Sequence, residues 1–282
     1  MNGRWTMGAG LLVLPAMLGL LAVACPPSED SPDVEPAPAT VKAPPPESRT
    51  DLADVAINTS LVASPTELQE AMLHAGVDIK FGTILERRNL KLDGEDKEQV
   101  AVRTGIVLAD MVLTLNESEK DDLIQDLTNL RAGLTTIGAG ADIDTTLGQI
   151  IDHVKADAVS RQELWLQVEE MREAAYGELS MEAGAQVVPL VQAGSWLEGT
   201  HLLAAAVLKA EEKGNAPNLL RQPDVVNYFL KQLKVGEGDV SDINTLARGT
   251  LEQIHDITMK ESLAVEDVEA VHKLTEDLLG KL

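Results

Sequence analysis

The sequence predicts an all-α fold: a multi-helix bundle of about eight to ten helices around one buried central helix, preceded by a signal peptide and a disordered tether. Three observations predict it. Beyond residue 60 apolar residues recur every three or four positions, and no alternating run of useful length competes. Capping residues, prolines and glycines punctuate those runs at helical lengths. The stretch from Gln186 to Leu208 carries Glu198 as its one formally charged side chain, so a helix there is apolar on nearly every side and belongs inside a bundle.

The first element is not folded. Arg4 and the amino terminus supply positive charge, Leu11 to Val23 is apolar, and small residues follow, which is the grammar of a cleaved signal peptide over residues 1–24. The run ends Leu21, Ala22, Val23, Ala24 ahead of Cys25, the one cysteine in the chain, so a disulfide within the chain is impossible. This ending resembles the lipobox of bacterial lipoproteins, with Ala22 where Leu is more usual. The resemblance implies cleavage before Cys25, acylation of its thiol, and attachment to a membrane of the bacterial cell envelope. Pro26 follows where, by resemblance to enterobacterial sorting rules, an Asp would retain the protein at the inner membrane, which favours the outer one.

Residues 25–50 form the expected tether. Positions 26 to 50 hold eight of the thirteen prolines and no aromatic residue, so they cannot bury a core. Extended at about 3.1 Å per residue, the tether would reach roughly 75 Å. It would hold the domain in the periplasm or at the cell surface.

Residues 51–282 remain for one all-helical globular domain. Ser64, Pro65 and Glu67 form a cap, a first-turn proline and a capping-box acid for a helix running to about His74, with Gly76 near its end. Ile79 to Asn89 is expected to add a turn or two. Glu95 to Leu115 is a second buried helix, packed on the central one through Ala101, Gly105 and Ala109. Ser118 is read as the cap of a helix carrying Leu123, Leu127, Leu130, Leu134 and Ile137. After GAGAD, Asp142 or Asp144 starts a helix with Leu147, Ile150, Ile151 and Val154. Asp157 or Ser160 starts another with Leu164, Val168, Met171 and Ala175 inward. In the central helix Pro189 marks the first turn or a kink, and Ala193, Gly194, Gly199 and Thr200 let neighbours come close. Pro223 opens a helix with Val226, Phe229, Leu230 and Leu233; Ser241 caps one through Ile243, Ala247, Ile254 and Ile257. The last, near Leu263 to Lys281, uses Val268, Val271, Leu274 and Leu278.

The central run is long enough to span a bilayer, but Gln192, Ser195, Glu198 and His201 interrupt it, and a central acid opposes insertion by about 2.5 to 3.5 kcal/mol. The chain has 46 acidic and 23 basic residues. The leader takes one basic residue and the tether five acidic and two basic, leaving the domain with 41 and 20 and a net charge of minus 21. Such a charge argues against nucleic acid and against anionic headgroups as partners.

Motifs for chemistry are sparse. There is no phosphate loop, no paired-cysteine metal site and no nucleophile elbow. Glu-x-x-His occurs three times, at Glu198/His201, Glu252/His255 and Glu269/His272, a pattern that holds two metals in ferritin-like bundles when the pairs face inward. Helical geometry turns Glu252 and His255 about 160° and 100° away from Ile254, and Glu269 and His272 about 180° and 120° from Leu278, toward solvent. Only Glu198 and His201 face inward. Arg103 and Asp110, seven residues apart on one face of the second buried helix, complete a candidate buried polar cluster of Arg103, Asp110, Glu198 and His201, with Glu198 a partner for Arg103. Structural pairing outweighs catalysis for such groups, because buried charges need partners whatever the function.

The segments SPTELQEAMLHAG, RTGIVLADM and AGSWLEG resemble, in that order, stretches of an uncharacterised family of exported bacterial proteins, many of them lipoproteins. The resemblance implies an all-helical domain. The sequence thus points to a lipid-anchored envelope protein whose acidic helical domain has a binding or structural role. It expects no cofactor, no metal and no catalytic residue, and an envelope protein as the partner besides the membrane. The competing reading is a metal-binding or enzymatic bundle built on Glu198 and His201.

Overall fold

Where each helix begins is decided by a few side chains near its first turn. The computed structural model describes residues 65–183, 186–233 and 242–282, and the described residues form nine α-helices and two short 3-10 turns with no strand. The expected signal peptide, Cys25, the tether and residues 51–64, with the Ser64 cap, lie outside the described residues. Helix α1 spans Pro65–His74, and a 3-10 turn at Phe81–Thr83 buries Phe81 completely. Helix α2, Lys97–Thr114, starts at Asp96, whose carboxylate accepts from the Glu98 and Gln99 amides. That is the N-cap bond that satisfies otherwise orphaned donors.

Helix α3 spans Lys120–Ile137 and ends on Gly138 at φ 111°, a left-handed cap that favours glycine. Its N-cap is Glu119, one residue later than expected: the Ser118 amide donates back to the Thr114 carbonyl oxygen at 2.8 Å, and its hydroxyl oxygen accepts from Arg87 Nη2 at 3.3 Å, so Ser118 belongs to the turn that follows α2. Helix α4 is Ala141–Lys155. Helix α5, Arg161–Glu182, carries a complete capping box between Ser160 and Glu163. Helix α6 is Val187–Lys209, with Pro189 in its first turn. A 3-10 turn at Ala216–Leu220 leads to α7, Pro223–Gln232, then α8, Asp242–Thr258, and α9, Val265–Leu279.

Helix α6 is the centre expected of it and contacts α1, α2, α5, α7 and α9. Its first half sits in a core shared with α2, α3, α4, α5, α7 and α8. Its second half, through Leu202, Leu203 and Val207, packs in a second core with Met72, Phe81, Leu263 and Val271. No helix among the described residues is long and apolar enough to cross a membrane. Few aromatic residues occur in the chain, and three of them pin α7 to α6. Trp196 and Phe229 have centroids 5.7 Å apart, the Trp196 indole donates to Gln222 Oε1 at 2.9 Å, and the Tyr228 hydroxyl donates to Gln192 Oε1 at 2.9 Å.

Helices α2 and α6 meet backbone to backbone. A Cβ on Gly105 would lie 2.0 Å from the Val191 carbonyl oxygen, and one on Gly194 would lie 2.0 Å from the Val102 carbonyl oxygen. Both partners are main-chain atoms of buried helices, so neither can move aside as a flexible side chain would. Helix α3 approaches α2 closely as well, since a Cβ on Gly133 would fall 2.3 Å from Thr104 Oγ1.

Gly105→Ala and Gly194→Ala should therefore each destabilise the domain by about 3 kcal/mol or more, although alanine is the better helix former. Gly177→Ala, in α5 with nothing within 4 Å of the added carbon, should instead stabilise by about 0.5–1 kcal/mol. Urea unfolding followed by circular dichroism measures both; equal effects at the three positions would refute the close crossing.

Candidate functional site

Burying a carboxylate costs several kcal/mol unless a cation or proton compensates. The contact between α2 and α6 buries two. Glu198 on α6 is 0% exposed and Asp110 on α2 is 6% exposed. The compensating cation is Arg88, in the irregular segment between the Phe81 turn and α2, whose Nη1 donates to Glu198 Oε2 at 2.6 Å.

One guanidinium does not neutralise two acids. Burial first, and then the neighbouring Glu198 charge, push the Asp110 carboxyl well above its ordinary range, with Arg88 opposing. Burial raises Glu198 too, while Arg88 and a hydrogen bond from Asp110 pull it back. The consistent state is a protonated Asp110 donating to an ionised Glu198 that Arg88 holds. Asp110 Oδ1 and Glu198 Oε1 have no other donor, so the proton supplies the bond that both buried oxygens lack.

The adjacent Arg87 repeats the device on α3. It pairs with Asp126, which is 5% exposed, and its Nη2 lies 4.0 Å from Asp122 and donates to Ser118 Oγ at 3.3 Å. Burial raises the Asp126 carboxyl, and Arg87 offsets part of the rise. Two neighbouring arginines thus face three buried acids, Asp110, Asp126 and Glu198, and the single proton on Asp110 brings this group to neutrality.

His201 lies one turn beyond Glu198 and faces α9. Its ring stacks on His272 with centroids 4.5 Å apart, and Nδ1 sits 3.2 Å from Thr275 Oγ1. The Thr275 hydroxyl already donates to the Val271 and His272 carbonyl oxygens. It therefore accepts from His201 Nδ1–H, which fixes that tautomer. Burial, then the nearby His272 and Arg88 charges, push the His201 pKa down to about 4, so the ring is neutral at pH 7.

Of the four residues expected to cluster, Asp110 and Glu198 meet and His201 stands beside them. Arg103 does not join, and it is not the partner of Glu198. Its Nε donates to the Leu282 backbone oxygen at 2.5 Å and its Nη1 to the Lys91 carbonyl oxygen at 2.8 Å, tying the last residue to the segment before α2. Sequence reasoning missed Arg87 and Arg88. Their signal was available: they are the one Arg-Arg pair in an acidic chain, and two inward acids on apolar helices require cations from elsewhere.

A second correction concerns α8, which carries Glu252 and His255, and α9, which carries Glu269 and His272. Glu252 and Glu269 are exposed as helical geometry expects, but His272 is half-buried against His201 and His255 is half-buried with its Nε2 shut off from water. The inward face of α9 is wider than its apolar residues indicate, because α9 packs on both α6 and α8 and buries Thr275 completely.

An acid holding a proton above its usual range is competent for general acid–base work only where a reacting atom can reach it. Here Glu198 has no exposed surface and Asp110 almost none. Among the described residues no group of three or more His, Cys, Asp or Glu is placed to hold a metal ion. Comparison with protein-family models, with curated proteins and with solved structures finds no match.

This arrangement sets the response to mutation and pH. Arg88→Met should cost about 3–5 kcal/mol by stranding Glu198. Asp110→Ala should cost about 1–3 kcal/mol by removing the donor to Glu198, whereas Asp110→Asn retains a donor and should cost less. Because the Asp110 pKa is raised on folding, its favourable contribution is complete below about pH 4 and is lost as pH rises toward the folded value. Asp110→Asn should therefore gain in melting temperature relative to the parent between pH 4 and pH 7; a constant difference across that range would refute the shared proton.

Proposed function

We propose that this chain is a lipid-anchored protein of the bacterial cell envelope, with its acidic helical domain held off the membrane in a binding or structural role. The observation that carries the reading is Cys25, the single cysteine, standing at the end of an apolar leader and at the start of a proline-rich stretch. A thiol acylated there gives the anchor, and the following 25 residues give the reach. Two acyl groups or an acyl group with a second signal make such anchoring stable. Pro26 after the cysteine favours the outer membrane.

The state of the buried polar groups supports a non-enzymatic role. Glu198 is engaged by Arg88 and Asp110, and His201 by Thr275 and His272. These bonds are internal, and their effect is to hold α2, α6, α9 and the Arg88 segment together. The net charge of minus 23 over the whole chain keeps the domain away from nucleic acid and from anionic headgroups and favours a neutral or cationic envelope partner.

Mass spectrometry of the amino-terminal peptide from the native host tests the anchor. The expected product begins at Cys25 and carries fatty acyl mass, and Cys25→Ala moves the protein from the detergent phase to the aqueous phase on Triton X-114 partition. An unmodified thiol in a chain that keeps residues 1–24 would overturn the proposal.

A further inference from the structure

Two of the five histidines in the chain meet, His201 on α6 and His272 on α9. Their rings lie 24° from parallel with centroids 4.5 Å apart, and both are half-buried. The stack sits where α9 lies on the second half of α6, in the core in which Leu203 and Val207 meet Val268 and Val271. Neutral imidazoles suit such a place, because their faces pack by dispersion as other aromatic rings do.

A proton on His201 changes the contact. Nδ1–H is already committed to Thr275 Oγ1 at 3.2 Å, so the proton enters at Nε2 and the ring becomes a cation between two helices, with little water to solvate it. It then lies against the second imidazole and beside Arg88. Glu198, one turn back on α6, is already engaged by Arg88 and by Asp110 of α2. The neighbours of His272 on its own helix, Glu269, Lys273 and Glu276, are exposed. Of the other elements on α6, α1 and α7 keep their charged groups exposed, the 3-10 turn at Ala216–Leu220 has none, and α5 packs in the first core, ahead of His201. Helix α8, which packs on α9, carries the half-buried His255.

We propose that the stack of His201 on His272 is an acid-sensitive latch, which holds α9 on α6 while His201 is neutral and releases α9 from an otherwise closed bundle when that ring takes a proton. Release uncovers the apolar face of Leu203 and Val207. The latch belongs to the domain alone and does not rest on acylation of Cys25.

The sign follows from the surroundings of the ring. Burial, then His272 and Arg88, hold His201 at about 4 against an ordinary 6.5, with a hydrogen bond to the His272 main chain opposing. The open form accepts a proton that the closed form refuses, so closure is favoured above pH 6.5 and weakens as pH falls toward 4.

Hydrogen exchange of the full chain in a Cys25→Ala form tests this between pH 7 and pH 4.5, with α9 peptides as the readout and α3 peptides as the reference. Corrected for intrinsic exchange rates, protection of α9 should fall about fiftyfold across that range and stay below that of α3 throughout. His201→Phe, which keeps a flat ring without the proton, should reduce the fall to less than about threefold, and His255→Gln should leave it intact. Constant α9 protection, equal protection of α3 and α9 falling together, or an undiminished fall in His201→Phe would each overturn the latch. If His201→Phe does not fold, proton NMR of the imidazoles in the parent decides: one half-buried ring must titrate below pH 5 in step with α9 exchange, and titration of all five near pH 6.5 overturns the proposal.

Discussion

The contact on which this structure depends is the meeting of α2 and α6 at Gly105 and Gly194. Dispersion and apolar burial are short-ranged, and two helices whose main chains touch bury more of each other than helices held apart by side chains. Gly105 lies against Val191 and Ser195, and Gly194 against Val102. Glycine in a helix interior is unfavourable by roughly 1 kcal/mol, so both positions are sustained by packing rather than by propensity. Other helices then arrange around this pair: α3 follows α2 through Gly133 and Thr104, and α7 and α9 lie on α6.

The same closeness creates the chief electrostatic demand of the domain. Asp110 and Glu198 sit on the two helices that approach most closely, and they become buried together. Water cannot solvate them, so a proton and Arg88 must. A well-packed apolar pair would often be as stable, and what the ionic solution adds is placement. Arg88 enters beside α6 and Arg87 beside α3, so two consecutive residues fix the segment between the Phe81 turn and α2 to two different helices. This segment has little regular structure of its own, and the two ion pairs give it a defined path.

Much of the helical architecture was legible in the residues. Ser160, Pro223 and the GAGAD loop mark ends through bonds and dihedral preferences that act within a few positions, and the spacing of Leu123, Leu127, Leu130 and Leu134 marks an inward face whatever it packs against. Less legible were features that depend on a neighbour. Ser118 was expected to cap α3, but its amide bonds back to Thr114 and its hydroxyl oxygen accepts from Arg87, a residue remote in the chain. His272 was expected to face solvent, but α9 has two neighbours and hence a broader buried face. A groove beside Trp165 joins residues from α1, α2 and α5, and no pattern along the chain announces it.

By itself the sequence determined that the domain is helical, that the run containing Glu198 lies at its centre, and that Asp110 and Glu198 need compensation, because periodicity, capping and desolvation are properties of a residue and its near neighbours. It also carries the expectation of a leader ending at Cys25 and of a tether after it, an expectation read along the chain that needs no fold. Tertiary structure decided which cation compensates, choosing Arg88 over Arg103, and decided that Asp110 shares its proton with Glu198. Arg103 and Arg88 are alike in charge and both precede Glu198 by many residues. Coulomb energy falls with distance, and distance between remote residues exists only once the helices have packed.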